Sequence, residues 1–375
     1  MRYDVALAAC KSYEDAEVSA ALETAVTAAG GLDWVTPGMR VALKLNLVSA
    51  MKPEKAATVH PAVVCALVRM LQARGAHVVL GDSPGGLYNA AHLQRVYDVT
   101  GLRAAEALGA ELNGDFSVCS VSYPEAVQAR SFTETAYLRN ADAIIDVCKL
   151  KTHGMMGMTN AVKNFFGIIP GTMKPEYHYK YPKIEDFANM IVDLCEYCKP
   201  RLCICDAVVG MEGNGPSGGR PRPLGLTLCA PNPFALDLLA SDLIGFSADE
   251  VETVRLSAEQ GLCPPQAGLL HVVGEQTAPW RCSFERAASG DVTFSSRIPG
   301  PLQKPLRRLL APRPVIDAAR CIGCGECAAS CPPQTITLRE GKAHIGSGQC
   351  IRCFCCQEMC PVKAIDIRKF FGFRM

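Results

Sequence analysis

The chain has almost no net charge: 38 Lys and Arg stand against 37 Asp and Glu, leaving +1 over 375 residues. That balance excludes a polyelectrolyte surface, and with it nucleic acid as the main partner. Long apolar runs are missing as well. The greasiest stretches are broken by Arg, Asp or Lys within about ten residues, against the ~20 that a membrane-spanning helix needs, so no membrane partner is expected. "LAAC" at Leu7–Cys10 mimics a lipoprotein cleavage box, but only a few apolar residues separate it from Asp4, too few for a signal core. "YDVALAAC" reads as a first buried β-strand, and the expected location is cytoplasmic.

Two further absences bear on chemistry. No flavin or nicotinamide fingerprint is present. "GNGPSG" at Gly213–Gly218 has the G-x-G-x-x-G spacing, but Pro216, Pro221 and Pro223 fall where a helix would have to open. It reads as a glycine loop lining a pocket, with Glu212 as an acid or base. The second absence is of acid: no Asp or Glu occurs between Asp146 and Glu176.

Cysteine, by contrast, is abundant. Nine of the 20 cysteines lie between Cys321 and Cys360. Cys321, Cys324, Cys327 and Cys331 follow the spacing C-x2-C-x2-C-x3-C and are closed by Pro332; Cys350, Cys353, Cys356 and Cys360 repeat it and are closed by Pro361. "CPPQTITL" then aligns with "CPVKAIDI", so residues 314–368 are an internal duplication that resembles a bacterial two-cluster ferredoxin. Three cysteines on a tight loop each offer a thiolate to one corner of a cubane, and the fourth reaches across to the other cluster. Cluster one is thus expected on Cys321, Cys324, Cys327 and Cys360, and cluster two on Cys350, Cys353, Cys356 and Cys331. Zinc ribbons also use CxxC pairs, but two complete runs closed by Cys-Pro favour two [4Fe–4S] clusters. Cys355 stands beside Cys356 as a bystander thiol, and Arg352 and Phe354 replace the small residues of the first run. The loose pairs Cys195/Cys198 and Cys203/Cys205 read as buried apolar thiols.

Upstream, residues 296–313 are proline-rich and basic and read as a linker, with a short helix at "LRRLL"; residues 369–375 are a tail. Residues 1–295 alternate strand-like and helix-like segments: "DVALAAC", "RVALKLNLV", "HVVLGDS", "ADAIIDVC", "RLCICDAVV" and "LGLTLCA" are strands, with helical periodicity between most of them. The expected fold is α/β, a mostly parallel sheet with helices on both faces, plus a small α+β ferredoxin-like C-terminal iron–sulfur domain. Ligands of such sheets bind at loops leaving the carboxyl ends of strands.

Those loops carry "VALKLNLV", "VVLGDSPGG", "KLKTHGMMGMTNAVKNFFGIIPG" and "DAVVGMEGNGPSGGRP". In that order they resemble the signature segments of a bacterial and archaeal family catalogued as domain of unknown function 362, over about residues 1–275. The resemblance implies fold kinship and a shared pocket, and no reaction.

In the third segment, Met158 to Phe166 has the spacing of one helix. Thr159, Asn160, Lys163 and Asn164 would share about 140° of its circumference, with Val162, Phe165 and Phe166 opposite. Lys149, Lys151, Thr152 and His153 precede it. The expected result is an acid-free anion site for a small carboxylate or phosphate, with Lys163 as electrostatic clamp and His153 as proton donor, metal ligand or satisfied polar residue. A solvated amphipathic helix is the plainer alternative. His178 is expected to close over the pocket from a mobile loop or to join a surface aromatic cluster. Three functions are weighed: a reductase or reductively activated enzyme passing electrons through the clusters to the anion; an electron-transfer or maturation accessory serving a partner redox protein; and a structural role for the clusters.

Overall fold

A computed structural model describes residues 4–288, 312–346 and 348–368. Apolar alternation along the first strands generates a central sheet: β1 (Asp4–Ala9), β2 (Arg40–Leu45), β3 (His77–Gly81) and β4 (Glu111–Leu112). A hairpin, β5 (Val118–Ser122) and β6 (Ser131–Thr135), stands apart from it. The sheet is completed by β7 (Ala143–His153), β8 (Gly157–Thr159), β9 (Leu202–Glu212), β10 (Arg220–Ala230) and β11 (His271–Gly274). Its order is β11-β1-β10-β9-β7-β2-β3-β4, with β8 paired to β7. The pairs of β2 with β3 and β7, of β7 with β9, of β3 with β4 and of β1 with β11 are parallel. β10 runs antiparallel to both β1 and β9, so the sheet is mixed though mostly parallel.

Both faces are covered. Val41, Leu43, Leu45, Ile145 and Val147 pack under helices α1 (Asp15–Ala28), α2 (Pro61–Gln72) and α3 (Ala90–Thr100). Ala42, Cys148 and Leu150 point the other way, as the period-two geometry of a strand requires. There they meet α5 (Ala161–Asn164), α7 (Ile184–Cys198) and α8 (Pro233–Leu243), which follow the short α4 (Arg103–Ala107) and α6 (Lys174–Lys180) in the chain. Helix α9 (Glu252–Glu259) packs on α7. Asn232 caps α8, accepting from the Ala235 N–H at 2.9 Å, with Pro233 at the first helical position.

One element differs from expectation where it matters. β7 does not end at Cys148 but continues through "KLKTH" to His153, turns at Gly157 (φ 73°) and returns as β8. The expected helix from Met158 therefore begins only at Ala161. Its start is set by Asp237, whose carboxylate accepts the N–H groups of Ala161 at 2.8 Å and Val162 at 3.1 Å.

The C-terminal domain is built of two antiparallel pairs, β12 (Arg313–Ile316) with β15 (Ile365–Arg368) and β13 (Ile336–Arg339) with β14 (Lys342–Ile345). Short helices at Glu326–Ala329 and Cys355–Met359 complete it. Of the expected linker 296–313 only Pro312 and Arg313 are described, and Arg313 opens β12; the "LRRLL" helix and the tail lie outside the described residues.

Candidate functional site

The duplication in the C-terminal domain extends to backbone geometry. Gly323 and Gly325 adopt positive φ (69° and 83°), and the equivalent Arg352 and Phe354 adopt it too (58° and 61°). Left-handed backbone is costly for residues with a Cβ, by about 1–3 kcal/mol each, and persists where surroundings impose it. The imposed loops turn cysteines inward. Cys321, Cys324, Cys327 and Cys360 ring one hollow; Cys331, Cys350, Cys353 and Cys356 ring a second. Backbone N–H groups are directed at the sulfurs: Ala364 to Cys360 at 3.1 Å, Thr335 to Cys331 at 3.3 Å and Ala343 to Cys321 at 3.5 Å. Four thiols around each hollow, with N–H donors to stabilise thiolate charge, fit a cubane cluster. Cys355 lines neither hollow.

Cys355 instead faces a cavity of about 240 Å³ between the two domains. The docking that forms this cavity depends on small residues. Met359 seats on the turn after β3, where a Cβ on Gly85 would stand 2.4 Å from its sulfur; Gln357 seats on Gly218, where a Cβ would stand 2.6 Å from its Nε2. Lys363 Nζ donates to Ser217 Oγ at 2.9 Å. The helix Cys355–Met359 thus contributes Cys355, Glu358 and Met359 to one wall, while Glu326 stands at its exposed rim.

The opposite wall is cationic. Lys151, from β7, is fully buried and donates to Asn46 Oδ1 at 2.7 Å and the Ala57 carbonyl at 2.6 Å. Burial first, then the charges of Lys163 and Lys149, push its pKa down to about 7. Lys174, from α6, donates to the Ser83 carbonyl, and burial lowers its pKa to about 8. Lys163, from α5, is also pushed down by burial, against the opposing charges of Glu358 and Cys355. Lys163 and Lys174 lie 5.5 Å and 5.6 Å from the centroid of the Phe166 ring. Among the described residues none of these three ammonium groups has a carboxylate partner, unlike Lys44, paired to Asp82 at 2.8 Å, and Lys149, paired to Asp206 at 2.8 Å.

The expected site residues divide accordingly. Lys151, Thr159, Lys163 and Asn164 line the cavity. Thr159 does so from β8 rather than from a helix. Lys149 does not line it: Asp206 and the Tyr13 hydroxyl, at 2.7 Å, hold it in a buried network. Thr152 is spent on the Gly213 carbonyl at 2.8 Å, and Asn160 accepts from the Cys148 thiol at 3.0 Å. His153 sits behind the wall. Its Nδ1 accepts from Met155 and Met156 N–H at 3.0 and 3.2 Å, which leaves the proton on Nε2, directed at Glu358 Oε1 3.6 Å away. Burial, then Lys163, holds His153 well below the usual histidine range and therefore neutral.

Three expectations change. The wall is not acid-free, because the C-terminal domain supplies Glu358 and the β3 turn supplies Asp82. His178 is neither in a loop nor at the surface: it is buried in α6, stacked on Phe187 at 4.3 Å between ring centroids, with its pKa pushed down to about 3 chiefly by burial. Glu212 is taken by Arg220 at 2.9 Å and the Glu285 N–H at 3.0 Å, so only Pro216 of its loop reaches the cavity. Lys174 and Glu358 escaped sequence reasoning. Lys174 continues the acid-free stretch and was legible in principle; Glu358 is drawn in by domain docking and carried no local signal. Cys195, Cys203 and Cys205 are buried apolar thiols, as expected.

The profile of the domain of unknown function DUF362 matches residues 41–242, just over half of the chain. This chain belongs to the DUF362 family. A thylakoid-associated protein of Synechocystis sp. is 32% identical to it over 270 residues, 71% of this chain and 82% of that protein. The DUF362 protein also matches a 4Fe-4S dicluster domain at residues 313–361, which gives it an iron–sulfur electron-transfer domain. Its fold has a partial likeness to the lactate racemase apoprotein from Thermoanaerobacterium thermosaccharolyticum, at TM-score 0.39 and 11% identity over 61% of this chain and 54% of that one; nothing functional follows from it. Among the described residues no helix is long and apolar enough to cross a membrane. The cavity of this DUF362 protein is thus shared: the family-matched segment contributes the lysines, and the dicluster domain contributes Cys355, Glu358 and Met359.

Proposed function

We propose that the protein passes electrons to a small anion held between its domains, as a reductase or a reductively activated enzyme. Cys321, Cys324, Cys327 and Cys360 hold one [4Fe–4S] cluster, and Cys331, Cys350, Cys353 and Cys356 hold the second. Such clusters supply electrons singly and at low potential. The observation that carries this reading is one helix with two faces. In Cys355–Met359, Cys356 turns to the second hollow while Cys355, Glu358 and Met359 turn to the cavity, opposite three lysines that have no carboxylate partner among the described residues. The chain's own contribution is to hold the acceptor beside that helix and to keep it dry. Lys163, on which the charges of both Glu358 and Cys355 act, supplies an uncommitted positive charge facing that helix. Of the three roles expected for His153, proton donor, metal ligand or satisfied polar residue, a proton donor's is open to it here only through Glu358.

A specific observation favours a second reading, an accessory that hands electrons to a partner redox protein. Cys324 is exposed, and Ile322 beside it is 63% exposed, so the first hollow opens outward. The two readings separate in native mass spectrometry of protein purified without oxygen. A bound small molecule beyond the chain and its clusters, lost in Lys163→Ala while the iron stays, is the expected result. Clusters alone, in both proteins and with offered carboxylates and phosphates, would turn the search to protein partners.

A further inference from the structure

The cavity carries more positive charge than one carboxylate answers. Lys163 and Lys174 lie beside the one Phe166 ring, and an ammonium has three donors, whereas among the described residues Lys151 donates to Asn46 and Ala57 alone. On the acidic side, Asp82 is already paired to Lys44 at 2.8 Å and Glu326 is exposed, so Glu358, whose neighbour His153 is neutral, is the one carboxylate among the described residues set against the three lysines. Phe166, Met359 and Leu87 offer an apolar side. A volume of about 240 Å³ lies below the roughly 300 Å³ at which ordinary ligand pockets begin, which suits a small metabolite and not a dinucleotide or flavin.

We infer that the occupant is a compact organic dianion, a dicarboxylate or a phosphate monoester, whose two charges are shared among Lys151, Lys163 and Lys174 while its carbon portion lies against Phe166 and Met359. This deepens the reading of the cavity as the acceptor site and rests on it for location, but it concerns binding and not electron delivery.

A consequence is proton uptake. The groups facing Lys151 are Lys149, Lys163, Asp82 and Glu358; those facing Lys174 are Lys44, Lys163, Asp82 and Glu358. In the free protein burial holds Lys151 near 7 and Lys174 near 8, so at pH 7.5 and above part of the positive charge is lost. An anion favours the charged form and draws protons back onto both lysines, so its affinity falls as pH rises through this range.

Isothermal titration of the oxidised holoprotein with succinate, inorganic phosphate and acetate tests this, in buffers of different ionisation heat at pH 6.5, 7.5 and 8.5. Succinate and phosphate are expected to bind at least about ten-fold more tightly than acetate, a difference of about 1.4 kcal/mol. Succinate, fully ionised across this range, should take up protons on binding at pH 7.5 and bind more weakly at pH 8.5. Lys174→Gln, which leaves Lys151 and its buried partners intact, should narrow the ratio of succinate to acetate affinity by about ten-fold. Equal binding of acetate and succinate, no proton uptake, or no binding of any probe would overturn the inference. Reoxidation of the reduced protein is followed separately. Fumarate, a dianion of similar size that takes up two electrons and two protons to give succinate, is the probe there. Fumarate that binds without accelerating reoxidation would sink the electron-delivery reading and leave the dianion site standing, and equal acceleration by the monoanion acrylate, reduced in the same way to propionate, would do the reverse.

Discussion

Lys44→Met is expected to destabilise the α/β domain by about 3–5 kcal/mol, the penalty for leaving a buried charge without its partner. Lys44 and Asp82 are both almost fully withdrawn from water, with Nζ 2.8 Å from Oδ1. Lys44 also donates to the Leu45 carbonyl at 2.7 Å, and Asp82 accepts the N–H groups of Leu47 and Ser83 at 2.8 Å each. Methionine fills the same volume but leaves the carboxylate with its two N–H donors and no direct cationic partner in a medium of low dielectric, Lys151 and Lys174 acting on it only at longer range. The double variant Lys44→Met/Asp82→Leu should recover much of the loss, because replacing both members of a buried pair by apolar groups is often near neutral. Gly167→Ala attacks the same pair sterically: its Cβ would stand 2.2 Å from Asp82 Oδ1 and 2.5 Å from Lys44 Nζ. Urea unfolding followed by far-ultraviolet circular dichroism measures all three. A Lys44→Met transition within about 1 kcal/mol of the parent protein would show that the pair is not the buried, dry contact described, since exposed pairs contribute that little.

The lysine pair explains why part of the site was legible in the sequence and part was not. Strand assignments rest on local alternation, and "VALKLNL" displays it: Val41, Leu43 and Leu45 face one core, and Ala42 and Lys44 face the other. The cysteine sets were legible for a similar reason, since ligand spacing on a tight loop is a local property. The helix expected at Met158 failed because a run of polar residues can match two periods at once. "KLKTH" alternates Lys149, Lys151 and His153 with Leu150 and Thr152, a strand signal, while the residues after it fit a helix; pairing of Lys151 with Thr159 and of His153 with Gly157 decided for the strand. What no window could show is the fate of each lysine. Lys149 and Lys151 are two residues apart on one strand, yet the first meets Asp206 from β9 and the second meets no carboxylate among the described residues. That difference is made by residues remote in sequence, as is the arrival of Glu358 from the C-terminal domain.

In Cys356→Ser about half of the iron is expected to be lost, together with delivery of electrons to the cavity, whereas Cys355→Ser should keep full iron and alter only what the cavity binds. The two thiols are neighbours in sequence, but a helix turns about 100° per residue, so Cys356 faces the hollow while Cys355 lies outside its ring and reaches only the Cys353 thiol. Cys356 rings the hollow with Cys331, Cys350 and Cys353; Cys355 lines the cavity with Lys163 and Glu358. For Cys355 to take over as a ligand the helix Cys355–Met359 would have to rotate, and its contacts oppose that: Met359 is seated on Gly85 and Gln357 on Gly218, with Lys363 tied to Ser217 at 2.9 Å. Iron analysis and electron paramagnetic resonance of the reduced proteins distinguish the cases. Spin coupling between two reduced clusters should vanish in Cys356→Ser and persist in Cys355→Ser. Full iron with unchanged coupling in Cys356→Ser would mean that Cys355 had replaced it, and that the domain interface is loose enough to let the helix turn. In that event Glu358 and Met359 would turn with the helix, and a cavity walled by both domains would no longer support the proposed delivery of electrons to the lysine side.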